Sequence, residues 1–365
     1  MSSSNQPLYL QIRTMIRDKI ESGELKPGDQ IPVEADLVQQ FNVSRITIKS
    51  ALKLLVDEGL VYRTAGKGTF VADPQEPSLF APSDQESAFK KIGLIGPMTS
   101  DAFTLNMLRG IEETCKEHNL ILLIRTSFTQ SEEKEAIRIL RAQGIDGLLI
   151  FPVDGEAYSQ AILDLKTECF PFVLIDRYLP GIKTNSVYTN NHQGGYLGTE
   201  YLFNKGHRQI GIVSTTQSKT ASAEDRFAGY LEAARHLGLK IEPAHWLTRI
   251  DESSFKEEIP TKEIIREWLS EQKNLTAVFA FSSITAVFVA DIAVQLGKKI
   301  PEDLAILSFD SPGVQDFNGL YFSCIEQQEY QLGEKAVDLL LQVISDPAHI
   351  EQIIIPVTLV EGRST

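Results

Sequence analysis

The sequence predicts an α/β protein with an N-terminal winged helix-turn-helix and a larger body of two α/β lobes. Two observations predict it. Residues 33–71 hold a short helix, a turn, a second helix and a hairpin, in that order. From Lys91 onwards, apolar runs of strand length alternate with stretches of helical period, which is typical of parallel sheets covered by helices on both faces.

The first domain, residues 1–72, contains three predicted helices. Leu8 to Ser22 repeats apolar side chains every three or four residues and is followed by glycine, a common helix stop. A second helix follows a Pro-Gly turn and buries one side. Ser44 is the predicted N-cap of a third helix, which turns apolar side chains inward and ends at Gly59.

The start of the third helix has the chemistry of a DNA-reading surface. In such a helix the first side chains reach base edges in the major groove, while hydroxyl and cationic groups nearby fix the register on phosphates. The residues with this placement are Ser44, Arg45, Thr47 and Lys49. Any one of them also fits an ordinary solvated helix face, and their ordered combination with the hairpin favours binding to double-stranded DNA.

The hairpin ends in Gly66-Lys67-Gly68, which predicts the tip of a wing. Glycines at Gly66 and Gly68 let the backbone approach a duplex closely. Lys67 can enter the minor groove or neutralise a phosphate. The hairpin is therefore predicted to contact the same duplex as the third helix.

Charge is distributed unevenly along the chain. The formal net charge is -14, but residues 1–72 hold nine Lys and Arg against eight Asp and Glu, and the remainder holds 26 against 41. A duplex would attract the region around the third helix and the hairpin, while the acidic body would avoid DNA.

Residues 73–90 are the predicted linker, because three prolines and many Ser, Asp, Glu and Gln cannot bury enough surface to order themselves. Residues 1–7 are short and polar, and no apolar segment is long enough to span a bilayer, so we expect a cytoplasmic protein without a membrane partner. The three cysteines lie far apart, which fits reduced thiols. The six histidines show no metal-ligand spacing, and we expect neither a metal nor a cofactor.

The body, residues 91–365, is long for a single sheet. Two open α/β lobes are the better interpretation, with a break near Asn185 to Thr189 where the chain crosses from one to the other. In open α/β sheets ligands bind outside the carboxyl ends of the strands, so a cleft between the lobes is the predicted ligand site.

Residues 7–72 resemble the winged helix of GntR family regulators in the segments PLYLQI, KPGDQIPVEADL, FNVSRITIKSALKLLVDEGLV and GKGTFV. The resemblance implies operator DNA as a partner. At one position the sequence departs from the family: Ala35 stands where many members place an arginine that touches DNA. That contact is either missing or supplied by Glu34 or Lys49.

The body resembles the LacI family effector domain, which is similar to periplasmic sugar-binding proteins, in KKIGLIGP, GIDGLLIFP, FVLIDRYLPG, NKGHRQIGIVS, DRFAGY and ILSFD. A GntR-type head on such a body is the architecture of the arabinose operon repressors of Gram-positive bacteria. The resemblance implies a homodimeric, sugar-responsive repressor of carbohydrate utilisation genes, with arabinose as the first effector to consider.

The resemblance also implies a set of effector-binding residues. Sugar sites use planar charged groups that bond two hydroxyls at once, and aromatic rings that cover the apolar faces of the sugar. The matching positions are Asp101, Phe103, Thr104, Asp176, Arg177, Ser222, Arg226, Ser282, Asp310 and Gln327. Phe103 fits a core position equally well. Ser282-Ser283 replaces the Asn-Asp of relatives, so the identity of the ligand is not inherited from them.

The alternative interpretation is an α/β enzyme that acts on a sugar and carries an appended DNA-binding head. No strand is followed by the Gly-x-Gly-x-x-Gly turn of dinucleotide sites, and Gly66-Lys67-Gly68 lacks the spacing of a phosphate-binding loop. No nucleophile, base and orienting group can be assembled from the sequence. A transport-type solute receptor is disfavoured by the absence of an export signal and by the head.

Overall fold

The computed structural model describes residues 7–64, 68–73, 89–99, 101–153, 159–215, 221–250, 258–316 and 319–365. The chain forms two compact units, Met1–Phe89 and Lys90–Thr365. Most of the predicted linker, residues 74–88, lies outside the described residues.

The first unit is a helix-turn-helix followed by a small antiparallel sheet. Its helices are Leu8–Glu21 (α1), Glu34–Phe41 (α2) and Arg45–Asp57 (α3). Its strands are Gln30–Ile31 (β1), Val61–Thr64 (β2) and Gly68–Val71 (β3), paired in the order β1-β3-β2. The predicted bounds of the first and third helices are confirmed to within about one residue, whereas the second helix begins at Glu34, two residues after its predicted start at Pro32. Asn42, with φ 52°, ends α2 in the left-handed region, and the Ser44 hydroxyl caps α3 by accepting the Thr47 N–H at 3.2 Å.

The second unit alternates helices and strands. Its helices are Ala102–Glu117 (α4), Gln130–Ala142 (α5), Gln160–Thr167 (α6), Asn191–Asn204 (α7), Ala221–His236 (α8), Glu258–Glu271 (α9), Ser283–Gln295 (α10) and Glu329–Ser345 (α11). Its earlier strands are Lys91–Gly96 (β4), Ile121–Thr126 (β5), Gly147–Ile150 (β6), Phe172–Ile175 (β7), Ser186–Thr189 (β8), Ile210–Thr215 (β9) and Trp246–Ile250 (β10). Its later strands are Ala277–Ala280 (β11), Ala305–Phe309 (β12), Gln315–Asp316 (β13), Gly319–Leu320 (β14), Ser323–Glu326 (β15), Gln352–Ile355 (β16) and Thr358–Val360 (β17).

Twelve of these strands form two six-stranded sheets, one for each predicted lobe, and β13 and β14 pair separately. The first has the order β16-β8-β7-β6-β4-β5 and is parallel throughout. The second has the order β10-β9-β11-β12-β15-β17 and is parallel except for the edge strand β17. Each sheet has an apolar core on both faces: α4 and α11 cover one face of the first sheet and α5 and α6 the other, while α7 and α8 oppose α9 and α10 on the second. The two-lobed α/β prediction is confirmed.

The predicted position of the break between the lobes was slightly wrong. Residues 186–189 form β8, which pairs with β7 and β16 inside the first sheet, and the chain crosses over only at Asn190. Residues 186–189 were not recognised as a strand because one of the partners of β8 is formed by residues 352–355, far along the chain. The described chain crosses back at Gln327-Gln328 and crosses again at Pro356-Val357, so both lobes are built from separate stretches of sequence.

Candidate functional site

A cavity of about 670 Å³ lies where the carboxyl ends of strands from both sheets face each other. Its walls follow β4, β6 and β7 in the first lobe and β9, β11, β12 and β15 in the second. All the effector-binding residues implied by the resemblance line it: Asp101, Phe103, Thr104, Asp176, Arg177, Ser222, Arg226, Ser282, Asp310 and Gln327. Residues spread over more than 220 positions of sequence therefore meet around one space.

Two carboxylates occupy corresponding strand ends. Asp176 directly follows β7 and Asp310 directly follows β12, and both have left-handed backbones, with φ 66° and 68°. An aspartate held in this region costs on the order of 1 kcal/mol or more, which persists only where the surrounding fold enforces it. Burial raises the pKa of both carboxyls, and the nearby guanidiniums of Arg177 and Arg226 partly oppose that rise. The two strands thus place acidic groups in the cavity wall, buried at Asp176 and half-buried at Asp310.

Some acceptor atoms in the cavity wall have no protein donor. Asp310 Oδ1 accepts a hydrogen bond from Gln327 Nε2 at 2.8 Å, but Gln327 Oε1 is buried without a partner. Asp176 Oδ1 is likewise buried without a partner. An unsatisfied buried acceptor costs about 1 to 3 kcal/mol, so this wall is suited to a ligand that brings hydrogen-bond donors.

Arg226 is fixed by three contacts within the second lobe. Its Nε donates to Asn191 Oδ1 at 2.7 Å and its Nη1 donates to the Phe281 carbonyl at 2.6 Å. The guanidinium lies 3.6 Å from the centroid of the Phe309 ring. Burial lowers the pKa of Arg226, whereas the charges of Asp310 and Asp176 raise it. The result is a planar cation whose orientation is set before any ligand arrives.

Close helix packing places Arg226 at the cavity. A Cβ at Gly195 of α7 would collide with the backbone carbonyl of Arg226, and a Cβ at Gly229 of α8 would collide with that of His192. The two helices therefore approach closely only because both positions are glycine. In the first lobe Gly110 of α4 and Gly333 of α11 have the same role.

Arg177 is the corresponding cation of the first lobe. Its Nη1 donates to the Pro152 carbonyl at 3.2 Å, and its guanidinium lies 5.3 Å from the centroid of the Phe151 ring. Phe103 packs edge-on against the same Phe151 ring, with centroids 6.2 Å apart. Phe103 thus contributes to the apolar core and to the cavity wall at once, and both interpretations made from the sequence describe it.

Several predicted residues also have local structural duties. Asp101 is the N-cap of α4: its carboxylate accepts the Thr104 N–H at 2.8 Å and the Thr99 hydroxyl. Ser282 is the N-cap of α10 and accepts the Thr285 N–H at 3.4 Å. Asp and Ser are preferred N-cap residues, so helix capping alone accounts for the residue types at these two positions. Ser222 lies in the first turn of α8 and lines the cavity.

Sequence reasoning missed two acidic residues of the cavity wall, Glu326 and Glu329. Glu326 ends β15 and Glu329 begins α11, so both lie within two residues of the predicted Gln327, and this closeness in sequence was the available signal. Burial raises the pKa of Glu329 to about 7, and the negative charges of Asp310 and Glu326 add to the rise. A hydrogen bond with Asn106 opposes it.

This raised pKa predicts a pH-dependent contribution to stability. The pKa of Glu329 in the folded chain, about 7, lies above its ordinary value of 4.5, so its contribution is fully present below that ordinary value and is lost as the pH rises to about 7. Urea unfolding from about pH 5 to about pH 8 should therefore show wild type losing stability relative to Glu329→Gln, mainly below about pH 7. Parallel pH profiles for the two proteins would contradict the prediction.

A hydrogen bond joins the two lobes beside the cavity. The Tyr178 hydroxyl, two residues after Asp176, donates to Asp225, the residue before Arg226, at 3.1 Å from Oδ2. The Tyr178 ring packs on Tyr188, with centroids 4.6 Å apart. Burial raises the pKa of Tyr178 to about 12, and the neighbouring charge of Asp225 adds to the rise, so the hydroxyl stays a donor at neutral pH. The bond connects the loop after β7 to α8.

In the first unit the predicted DNA-reading residues cluster at the start of α3. The Arg45 side chain is 73% exposed and Lys49 is exposed. The hydroxyls of Ser44 and Thr47 lie 2.8 Å apart, which orders the first turn. Gly68 has a φ of 130° and lies at the start of β3, while Gly66 and Lys67 lie outside the described residues.

The sequence left open whether Glu34 supplies the DNA contact that the resembled family makes with an arginine where this chain has Ala35. Its carboxylate oxygens lie 3.5 Å from Arg45 Nε and 3.5 Å from Arg63 Nη2. A carboxylate repels phosphate. Glu34 is therefore better suited to orient Arg45 and Arg63 than to replace the DNA-contacting arginine that the resembled family has where this chain has Ala35.

Among the described residues, no group of three His, Cys, Asp or Glu could hold a metal ion. No helix in that part of the chain combines the length and apolar character needed to cross a membrane.

Two family models match the chain. That for bacterial regulatory proteins of the gntR family matches residues 8–71, and that for the periplasmic binding protein-like domain matches residues 199–365. The arabinose metabolism transcriptional repressor of Geobacillus stearothermophilus is 29% identical over 94% of this chain and 93% of its own length. The ribose operon repressor of Haemophilus influenzae is 31% identical over 74% of this chain and 79% of its own.

Solved structures share the fold. A transcriptional regulator CelR-cellobiose complex superposes with a TM-score of 0.67 at 19% identity, covering 88% of this chain and 92% of its own. The transcription regulator CcpA of Lactococcus lactis superposes with a TM-score of 0.65 at 20% identity, covering 76% and 99%.

Proposed function

Since the chain belongs to the family of bacterial transcriptional regulators that join a gntR-type DNA-binding domain to a periplasmic binding protein-like domain, we propose that it represses sugar utilisation genes and that a sugar releases it from its operator. It is a regulator and not an enzyme; the alternative of a sugar-converting enzyme finds no support among the relatives, which are named repressors.

One observation carries the sugar part of the proposal. The cavity combines orphaned acceptors on Asp176 and Gln327 with the fixed guanidiniums of Arg177 and Arg226. Sugar hydroxyls donate to the first kind of group and accept from the second, and the rings of Phe103 and Phe151 offer an apolar surface to the sugar face. A neutral polyol uses both sets at once.

The same geometry suggests how sugar binding in the cavity changes operator affinity. A ligand bound to Asp176 and Arg226 at the same time touches both lobes, so it favours the arrangement in which they are closest. The sugar need only bind the DNA-incompetent arrangement more tightly than the competent one. A coupling of about 1 to 3 kcal/mol changes operator affinity by roughly 5- to 150-fold.

We place a pentose first among effectors, with arabinose ahead of ribose. The relatives named as arabinose repressors match over more than nine-tenths of this chain, whereas the ribose operon repressor matches over about three-quarters. Ser282-Ser283 stands where the resembled family has Asn-Asp, so the ligand is not inherited from that family. A direct titration therefore identifies the sugar.

We also propose a cytoplasmic homodimer, since DNA is reached there and paired heads read operators with a dyad. Two surfaces of the second unit support a second copy as partner. On α10 the large apolar side chains that remain exposed are Ile284, Val287 and Val294. The edge strand β5 exposes Ile121 and Ile124. Exposed apolar groups on a helix and on a sheet edge are typical of surfaces that a partner covers.

The experiment that tests the proposal is a calorimetric titration of the full chain with arabinose, ribose, xylose, galactose and glucose, with and without operator DNA. We expect one pentose to bind, and to bind more weakly when the operator is present. Operator affinity that stays unchanged at saturation with every sugar would overturn the proposal.

Replacing Tyr178 with phenylalanine should alter effector affinity without touching the cavity wall. The change removes a hydrogen bond to a carboxylate, worth about 1.5 to 3 kcal/mol where the pair is desolvated and less where water reaches it. If the lobes are closest in the sugar-bound arrangement, Tyr178→Phe should raise the sugar Kd by about 3- to 10-fold. Tyr196→Phe is the matched control, because that hydroxyl contacts His236 within the second lobe. Equal Kd values for both variants would contradict the prediction.

A further inference from the structure

Ile46, the second residue of α3, is 77% exposed. The apolar side chains that attach this helix to its domain, such as Ile48, Leu52 and Leu55, are fully buried. Ile46 therefore contributes nothing to the core. It is not there for helix propensity either, because a β-branched residue loses side-chain freedom in a helix.

The surroundings of Ile46 indicate what it faces. Residues three and seven positions further along a helix share its face, and here they are Lys49 and Lys53, both exposed. Arg45 precedes Ile46 and is itself largely exposed. A face with one branched aliphatic group among three cations suits a polyanion and does not suit an apolar protein surface.

On a DNA duplex the major groove offers one apolar group on its base edges, the C5-methyl of thymine. Since the first turn of a recognition helix is the part that reaches these edges, we propose that Ile46 reads a thymine in each operator half-site by packing against that methyl group. The inference rests on the proposed DNA-binding function and adds a specificity-determining residue to it. Lys49 and Lys53 position the helix on phosphates, and Ile46 adds discrimination at one base step to the base contact expected of Arg45.

The test begins with selection of the preferred duplex from a randomised pool by the wild-type full chain. Each thymine of the selected half-site is then replaced by uracil, which removes only the methyl group, and Kd is measured for wild type and Ile46→Ala at one salt concentration. At one position we expect uracil to weaken wild type by about three- to fivefold per half-site, the effect of exposing one methyl group. Ile46→Ala should bind the thymine and uracil duplexes equally.

Controls separate this contact from general effects. Leu8→Ala removes an exposed apolar side chain from α1 and should keep the full thymine preference. Ile46→Val keeps branched methyl groups and should retain most of it. A uracil penalty of the same size in wild type and Ile46→Ala at every position, or a selected half-site without thymine, would overturn the contact while leaving DNA binding intact. A wild-type chain that enriches no sequence from the pool would overturn the DNA-binding function itself, and this contact with it.

Discussion

Replacing Arg226 with alanine is expected to abolish the sugar response while operator binding in the absence of sugar stays intact. The guanidinium is held by Asn191, the Phe281 carbonyl and the Phe309 ring, so Arg226 lines the cavity in one fixed orientation. Losing charged hydrogen bonds worth about 1.5 to 3 kcal/mol each should raise the sugar Kd by more than about 100-fold. Calorimetric titration measures the Kd, and a gel shift with and without sugar measures release.

Two further variants make the result specific. Arg235→Ala removes an exposed arginine from the same helix and should leave the response normal. Arg226→Lys keeps the charge but loses the planar fork, and we expect a partial response. The alanine variant should also be less stable, because the carboxyls of Asp176 and Asp310 lose a neighbouring cation. A normal sugar Kd in a folded Arg226→Ala protein would remove this residue from the binding site.

Replacing Arg45 with alanine is expected to weaken operator binding by about 1 to 3 kcal/mol for each half-site, the size of a bidentate contact to a base pair. The Arg45 side chain is exposed, but its Nε lies 3.5 Å from a carboxylate oxygen of Glu34, so part of its ordering is in place before DNA arrives. Sugar binding by the second unit should not change. Gel shifts against the selected operator and calorimetry with sugar measure the two effects.

The matched control is Arg17→Ala on α1, an exposed arginine paired with Glu21. It should leave operator affinity within about 0.5 kcal/mol of wild type, as surface substitutions do. Glu34→Gln should have a smaller effect than Arg45→Ala, since it loosens the arginine without removing it. Equal operator affinity for the Arg45 and Arg17 variants would exclude a base contact by Arg45.

The sequence was informative where the relevant signal is local. Helix caps and strand ends could be located from the residues themselves, so Ser44, Asp176 and Asp310 were placed correctly along the chain. Parallel topology places the carboxyl ends of one sheet at one edge, and the cleft expected between the two lobes predicted that the strand ends of both sheets would face it.

What the sequence did not reveal depends on distant contacts. The strand β8 was not recognised, because one of its partners comes from residues 352–355. Glu34 pairs with Arg45 of α3 and with Arg63 of β2. The hydrophobic periodicity of the sequence does not show that this helix and this strand lie close together. The raised pKa of Glu329 requires knowledge of burial and of neighbouring charges.

The triple passage of the chain between the lobes has a consequence for how the molecule is made on a ribosome. The first sheet lacks β16, and its α4 face lacks α11, until residues 329–355 have been synthesised, which is after the second sheet has most of its strands. A nascent first lobe therefore exposes apolar surface that later residues cover, and neither lobe can mature as an independent unit before the other. Folding chaperones should accordingly engage the growing chain longest at the α4 side of the first sheet.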